Sequence, residues 1–287
     1  MKQKNVGIIL IICAGFFFSL MTFFVKLSGD LPTIQKAFFR NAVALLVAFV
    51  MLLKNGEGFN INKNCKIPMF MRCACGTAGL ICNFYAIDHM NIADANMLNK
   101  LSPFFAIIMS IVVLHEKVKA IEWGSVIIAF SGALLIIKPS FNFSFLYAMI
   151  GVLGGLGAGI AYTYVRKMGI LGQKGTVIVF CFAAFSCITI FPFLVYQYKP
   201  MTLLQFGFLM LAGISATGGQ FCITAAYTKA PAREISVFDY TQVLFAALLG
   251  FFILYEVPDI LSIMGYFVII GTAVFKWKYN RIKEEKE

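Results

Sequence analysis

Ten apolar segments, each close to 20 residues long, dominate this sequence. They lie at roughly 6–26, 33–53, 68–88, 95–114, 121–138, 145–166, 175–195, 203–226, 234–254 and 260–278. A helix needs about 20 apolar residues to cross a bilayer, whereas a transmembrane β-barrel needs short strands of alternating polarity. The segments therefore predict an all-α polytopic membrane protein with ten transmembrane helices.

Composition supports a protein that lies in a lipid bilayer. Hydrophobic residues make up 60% of the chain and charged residues 13%, whereas charged residues are about a quarter of a soluble domain. The first apolar segment follows Lys2 and Lys4, but it is longer than the apolar region of a secretory signal and lacks a cleavage site. We expect it to be retained as the first helix.

The net charge of +11 is distributed unevenly along the chain. Most Lys and Arg residues, including Arg72, are assigned to loops and tails on the side of the N-terminus. The opposite side receives Lys26, Lys36, Lys138 and Lys199, while Arg40 and Lys100 fall inside segments. Under the positive-inside rule this predicts cytoplasmic termini and a plasma (inner) membrane protein. The basic excess is a topology signal, and we expect no nucleic-acid partner.

No cofactor, metal or catalytic motif is expected from the sequence. The eight cysteines lack paired CxxC spacing, and His89 and His115 are the two histidines. His115 begins neither a zinc-protease motif nor another known ligand pattern, and no phosphate-binding P-loop is present. The protein is therefore predicted not to be an enzyme.

The two halves of the sequence match at an offset of 140 residues. Thr77 aligns with Thr217, Gly79 with Gly219 and Cys82 with Cys222, and Lys26 stands opposite Arg166. Glu116 and Glu256 also align, each closing an apolar segment. Five helices per half would place the second half in the opposite orientation. We therefore predict two inverted five-helix repeats, residues 1–140 and 141–287, an arrangement typical of secondary transporters.

Glycines in the sixth segment predict close contact between helices. Gly151, Gly155 and Gly159 recur every four residues, a spacing that lets neighbouring helix backbones approach each other.

The sequence resembles the EamA type of the drug/metabolite transporter superfamily. In the first half the resemblance lies in Tyr85-Ala86, Ala93-Asp94-Ala95, the run from Leu98 to Phe104, Glu116 and Gly124 with Gly132. In the second half it lies in Tyr240-Thr241-Gln242, the run from Ala246 to Gly250, Glu256 and Gly265. It implies ten helices and alternating access for small metabolites such as amino acids, nucleotide precursors, sugar conjugates or quaternary amines. Val243 replaces the equivalent of Pro103, so a kink in the fourth helix need not recur in the ninth.

Two polar helix faces at equivalent positions are the predicted substrate-binding site. Asn96, Asn99, Lys100 and Pro103 share one face of the fourth helix, and Ser236, Asp239 and Tyr240 share one face of the ninth. Ionisable groups inside a membrane span are costly and are usually functional. The candidate substrate-binding residues are Asn96, Asn99, Lys100, Ser236, Asp239, Tyr240, Tyr85 and Arg40. Asn83, Gln220 and Tyr162 are further polar residues in spans.

The partners of the charged residues remain open at this level. Lys100 and Asp239 each lie about 8 Å from opposite membrane faces, which leaves about 14 Å between them along the membrane normal. We therefore expect no direct ion pair between them. The alternatives for Arg40 and Lys100 are the interface or a bond to Asp30, Asp88 or Asp94, and those for Asp239 are Lys229 or Arg233. Glu116 and Glu256 are expected to bind a neighbouring helix N-terminus or loop.

These features predict a secondary transporter of a small polar or amphipathic metabolite, with an amino acid or related amine favoured. A facilitator or channel is the alternative, followed by a membrane-embedded enzyme. The expected partners are a small-molecule substrate, the lipid bilayer, and a coupling proton or exchanged metabolite. The oligomeric state is left open.

Overall fold

The fold is helical throughout the part of the chain that the computed structural model describes. These residues are 2–56, 58–114, 120–137, 143–229 and 236–284, and they contain no β-strand. The all-α prediction is confirmed for this part of the chain. Glu116, His115, Lys138 and Arg233 lie outside it.

Eleven α-helices, numbered here in chain order, make up the described residues. They are α1 Lys2–Leu27, α2 Thr33–Lys54, α3 Lys66–His89, α4 Ile92–Asn99, α5 Ser102–Val113, α6 Ala120–Ile137, α7 Phe143–Ile170, α8 Gly175–Gln197, α9 Leu203–Lys229, α10 Thr241–Leu249 and α11 Ile260–Glu284. Short 3₁₀ turns at Lys63–Cys65 and Ser236–Tyr240 precede α3 and α10, and a π-helical turn at Gly250–Leu254 follows α10.

Within the described residues, eight helical stretches are long and apolar enough to cross a membrane. One of them, Ile92–Val113, consists of α4 and α5 together. Two shorter apolar helical stretches, Trp123–Gly132 and Phe238–Leu254, accompany them among the described residues. The chain is therefore an integral membrane protein.

Helix packing follows the sequence repeat. Shifting α1 by 140 residues gives α7, and shifting α3 gives α9. The most extensive contacts join α1 to α9 and α3 to α7, which are equivalent pairs. The α2–α8 and α6–α11 pairs also join equivalent elements. Each half therefore packs mainly against the other half rather than against itself.

Glycines allow α7 to touch both α3 and the α4–α5 junction. A Cβ added at Gly157 would lie 2.7 Å from the Gly79 Cα on α3. A Cβ at Gly155 would lie 2.8 Å from the Leu98 carbonyl oxygen, and one at Gly159 would lie 2.7 Å from that of Ser102. Side chains do not fit at such distances, so the close packing predicted for α7 is confirmed. It fixes the position of the α4–α5 junction.

Candidate functional site

The α4–α5 junction interrupts the fourth apolar segment at Lys100. Helix α4 ends at Asn99, and α5 begins at Ser102 with Pro103 in its first turn. Lys100 has ψ near 7°, outside the helical range. Proline has no amide proton to continue the helical hydrogen bonds, which favours an interruption here.

An equivalent interruption occurs in the second half. The 3₁₀ turn ends at Tyr240, and α10 begins at Thr241, so the change of helix type lies 140 residues after Lys100. Val243 stands in the place of Pro103. The interruption recurs although the proline does not.

Lys100 and Asp239 form a buried ion pair between the two interruptions. The Lys100 Nζ lies 2.7 Å from the Asp239 Oδ2, and the side chains are 4% and 1% exposed. The approach is oblique, because neither carboxylate oxygen of Asp239 makes a hydrogen bond within the described chain. The expectation that these charges lie too far apart to pair is wrong.

The expected separation failed because it assumed regular helices with different boundaries. Helix α4 begins at Ile92 rather than near residue 95, so Lys100 lies about 12 Å along it. Asp239 lies in a 3₁₀ turn, which rises about 2.0 Å per residue rather than 1.5 Å. Both differences carry the charges toward each other. Asp239 thus pairs with Lys100 and not with Lys229.

Side-chain hydrogen bonds also connect the two interruptions. The Tyr240 hydroxyl donates to the Lys100 carbonyl oxygen at 3.0 Å. The Gln242 Nε2 donates to the Asn96 Oδ1 at 2.7 Å, and the Asn96 Nδ2 donates to the Ile92 carbonyl at 2.7 Å. Asn96 and Tyr240 therefore hold the two halves together, and both are buried.

A cavity of about 80 Å³ lies beside the ion pair. Its charged and amide lining residues are Arg40, Arg72, Asn83, Asn99, Lys100, Gln220 and Gln242. Phe18, Met21 and Phe182 contribute apolar surface, and Tyr162 also faces it. Ligand pockets usually measure roughly 300–1,000 Å³, so this cavity would have to widen to hold a metabolite.

Two buried arginines share one aromatic ring at this cavity. Arg40 and Arg72 are 3% and 2% exposed. Their Cζ atoms lie 5.7 Å and 4.0 Å from the centre of the Phe182 ring, within the range of cation–π attraction. The Arg40 Nη1 donates to the Asn41 Oδ1, while the Nε atoms of both arginines lack a hydrogen-bond partner within the described chain.

Arg72 is the functional candidate that sequence reasoning missed. Counting loop cations assigned it to a loop, but it lies in the second turn of α3 and faces the cavity. The available signal was its position within the apolar segment at 68–88. Arg40, by contrast, was identified, although it binds none of the proposed aspartates: Asp88 pairs with Lys36 at 2.5 Å.

The remaining predicted site residues divide into three cases. Asn99 lines the cavity next to Lys100. Tyr85 does not line it, because its ring stacks on His89 at 4.3 Å between ring centres. The backbone of Ser236 belongs to the 3₁₀ turn, and its side chain is outside the described part of the structure.

Glu256 binds a helix N-terminus, as its position in the sequence suggested. Its Oε2 accepts a hydrogen bond from the Ile92 amide, the first of α4, at 2.9 Å. Its Oε1 lies 3.3 Å from the Lys26 Nζ, which donates to the Ile87 and Met90 carbonyls at the end of α3. Lys26 and Glu256 therefore stabilise both sides of the α3–α4 turn.

Comparison with known proteins gives consistent matches over nearly the whole chain. The model of the EamA-like transporter family matches twice, at residues 5–138 and 145–276. The pseudopaline exporter CntI of Pseudomonas aeruginosa is 32% identical over 93% of this chain and 94% of its own. An uncharacterized transporter of Helicobacter pylori is 26% identical over 98% and 97% of the two chains.

A human protein and a solved structure also match over most of this chain. Human solute carrier family 35 member G1 is 25% identical over 95% of this chain and 80% of its own. A solved crystal structure superimposes with a TM-score of 0.71 over 94% of this chain and 96% of that one. At 13% identity, that structure supports the fold alone.

Proposed function

Since this chain belongs to the EamA-like transporter family, we propose that it is a secondary transporter that moves a small polar metabolite by alternating access. The chain is a membrane transporter rather than an enzyme, because its family and its named relatives are transporters. The proposal adds the mechanism and the kind of substrate.

The Lys100–Asp239 ion pair is the observation that carries this proposal. It joins two helix interruptions that occupy equivalent positions in the two halves. Interrupted helices at the interface of two repeats are where secondary transporters bind substrates and coupling ions. A buried ion pair there connects the halves in one conformation and can separate in another.

The size of the cavity supports alternating access. At about 80 Å³ it is smaller than ordinary ligand pockets, so the halves would have to move apart to admit a metabolite. Because equivalent helices form equivalent contacts, the two halves could exchange conformations and open the same site toward opposite sides.

The proposed topology consists of ten transmembrane helices in two inverted halves, residues 1–140 and 141–287. Both termini would lie in the cytoplasm, with the protein in the plasma (inner) membrane. Support comes from the equivalent helix pairs, from the two matches to the family model, and from the distribution of Lys and Arg.

The proposed substrate class begins from the amino acids favoured by the sequence. An amino acid carries a carboxylate and an ammonium group; Arg40 and Arg72 of the cavity could bind the carboxylate, and Asp239 could bind the ammonium group only by separating from Lys100. Coupling would occur through a proton bound by Asp239 or through exchange with a second metabolite.

Counterflow in reconstituted vesicles tests the proposal. Vesicles loaded with an unlabelled metabolite mixture should accumulate labelled substrate transiently above its equilibrium level, and uptake should saturate. Lys100→Ala should reduce exchange at least tenfold, because the ion pair and one cavity wall are lost, while exposed Lys54→Ala should leave it unchanged. Unsaturable uptake without counterflow would identify a channel instead, and normal exchange by folded Lys100→Ala would remove Lys100 from the site.

A further inference from the structure

We propose that the transported metabolite is an organic anion whose carboxylate groups bind between Arg40 and Arg72. This inference rests on the proposed transport function and specifies its substrate class. Three features carry it: the charge left unpaired in the cavity, the hydrogen-bond donors left without acceptors, and the packing that holds the guanidinium groups in place.

The cavity carries an excess of two positive charges. Lys100 is neutralised by Asp239, but neither Arg40 nor Arg72 forms an ion pair with a carboxylate within the described residues. An arginine inside a membrane span is costly unless its charge is paired. Two unpaired arginines beside one ring therefore oppose folding. A bound anion would remove this cost, whereas an amine or a cationic metabolite would add to it.

The unpaired donors match the acceptors of a carboxylate. Three buried donors have no hydrogen-bond partner in the described part of the chain: the Nε atoms of Arg40 and Arg72 and the Nδ2 of Asn41. A guanidinium group binds a carboxylate with two parallel hydrogen bonds, and such charged bonds are about twice as strong as neutral ones. A metabolite with two carboxylates could engage both arginines.

The surrounding residues hold the two guanidinium groups at the cavity. The Phe182 ring packs against both, and Gly76 leaves space for the Arg72 side chain. A Cβ at Gly76 would overlap the Arg72 Nη1. The charge of Arg72 thus occupies a place that any larger residue at position 76 would compete for.

Melting temperatures in the absence of ligand give the first test. Arg40→Met and Arg72→Met keep most of the volume and the contact with Phe182 but remove the unpaired charge. We expect Tm to stay unchanged or rise by a few degrees in both variants. A fall in either variant would mean that the guanidinium is structural, and it would overturn the proposal.

A matched ligand series gives the second test. Succinate, 4-aminobutyrate and putrescine share a four-carbon chain but carry two negative charges, no net charge and two positive charges. The screen also includes other mono-, di- and tricarboxylate anions. These anions should raise Tm more than zwitterionic 4-aminobutyrate and cationic putrescine do. Arg40→Met and Arg72→Met should each abolish that rise, and Lys54→Ala should retain it.

The opposite results would overturn the proposal. One such result is a larger rise in Tm with putrescine or 4-aminobutyrate than with every carboxylate anion. The others are a rise in Tm with carboxylate anions that survives both arginine substitutions, or no change in Tm with any carboxylate anion. Failure of this proposal is distinguishable from failure of the transport function. Counterflow of a cationic or neutral metabolite would leave transport intact and exclude an anion, while carboxylate binding without counterflow would do the reverse.

Discussion

Four buried charged residues, Lys100, Asp239, Arg40 and Arg72, lie at or beside the candidate cavity. Lys100 and Asp239 form an ion pair between the two halves. Arg40 and Arg72 are buried beside the cavity and have no carboxylate partner among the described residues. The polar helix faces in the sequence made Lys100 and Asp239 candidates, and Arg40 became one as an ionisable residue inside an apolar segment. Their partners could not be derived, because an error of three residues in a helix boundary shifts a side chain by about 4.5 Å.

Breaking the buried pair at one residue should destabilise the protein strongly. Lys100→Met leaves the Asp239 carboxylate unpaired, and Asp239→Leu leaves the Lys100 ammonium unpaired. Each should lower the free energy of unfolding by about 3–5 kcal/mol, the usual cost of an uncompensated buried charge. Chemical denaturation in detergent measures this, with Lys54→Met as the control. A loss below about 1 kcal/mol in both variants would show that the pair is solvated.

Short elements position the buried ion pair, whereas the long helices α2 and α3 supply Arg40 and Arg72. The α4–α5 junction and the turn before α10 bring Lys100, Asp239 and Tyr240 together. The glycines of α7 pack against the α4–α5 junction. The glycine spacing in the sequence correctly predicted close packing of α7 but did not identify the elements that it contacts. The interruption at Tyr240 could not be predicted from proline chemistry, since Val243 can continue a helix; tertiary contacts, including Gln242 with Asn96, accompany it.

A methyl group at Gly155 should disturb the α4–α5 junction. Its carbon would lie 2.8 Å from the Leu98 carbonyl oxygen, a backbone atom that cannot rotate away. Gly155→Ala is therefore expected to cost about 1–3 kcal/mol of unfolding free energy. Gly207→Ala, on a helix with open space at the same atom, should be neutral or slightly stabilising. Equal stability of the two variants would contradict the close packing.

The whole molecule is two similar halves that pack mainly against each other. The 140-residue offset, the apolar segments and the family resemblance predicted the helical membrane fold and the two matched halves from sequence alone. Arg72 was missed because charge counting assigns cations to loops, and a cavity depends on contacts between helices distant in sequence. We propose that the ion pair joining the halves serves transport rather than stability.

Counterflow by the double variant Lys100→Met/Asp239→Leu separates a role of the ion pair in transport from a role in stability. Replacing a buried ion pair with apolar residues of similar size is often neutral or stabilising, so the double variant should unfold at or above the wild-type Tm. We predict that it remains folded but that substrate counterflow falls at least tenfold, because the two charges proposed to pair and separate during transport are gone. Counterflow at the wild-type rate by the folded double variant would show that transport does not need the Lys100–Asp239 ion pair.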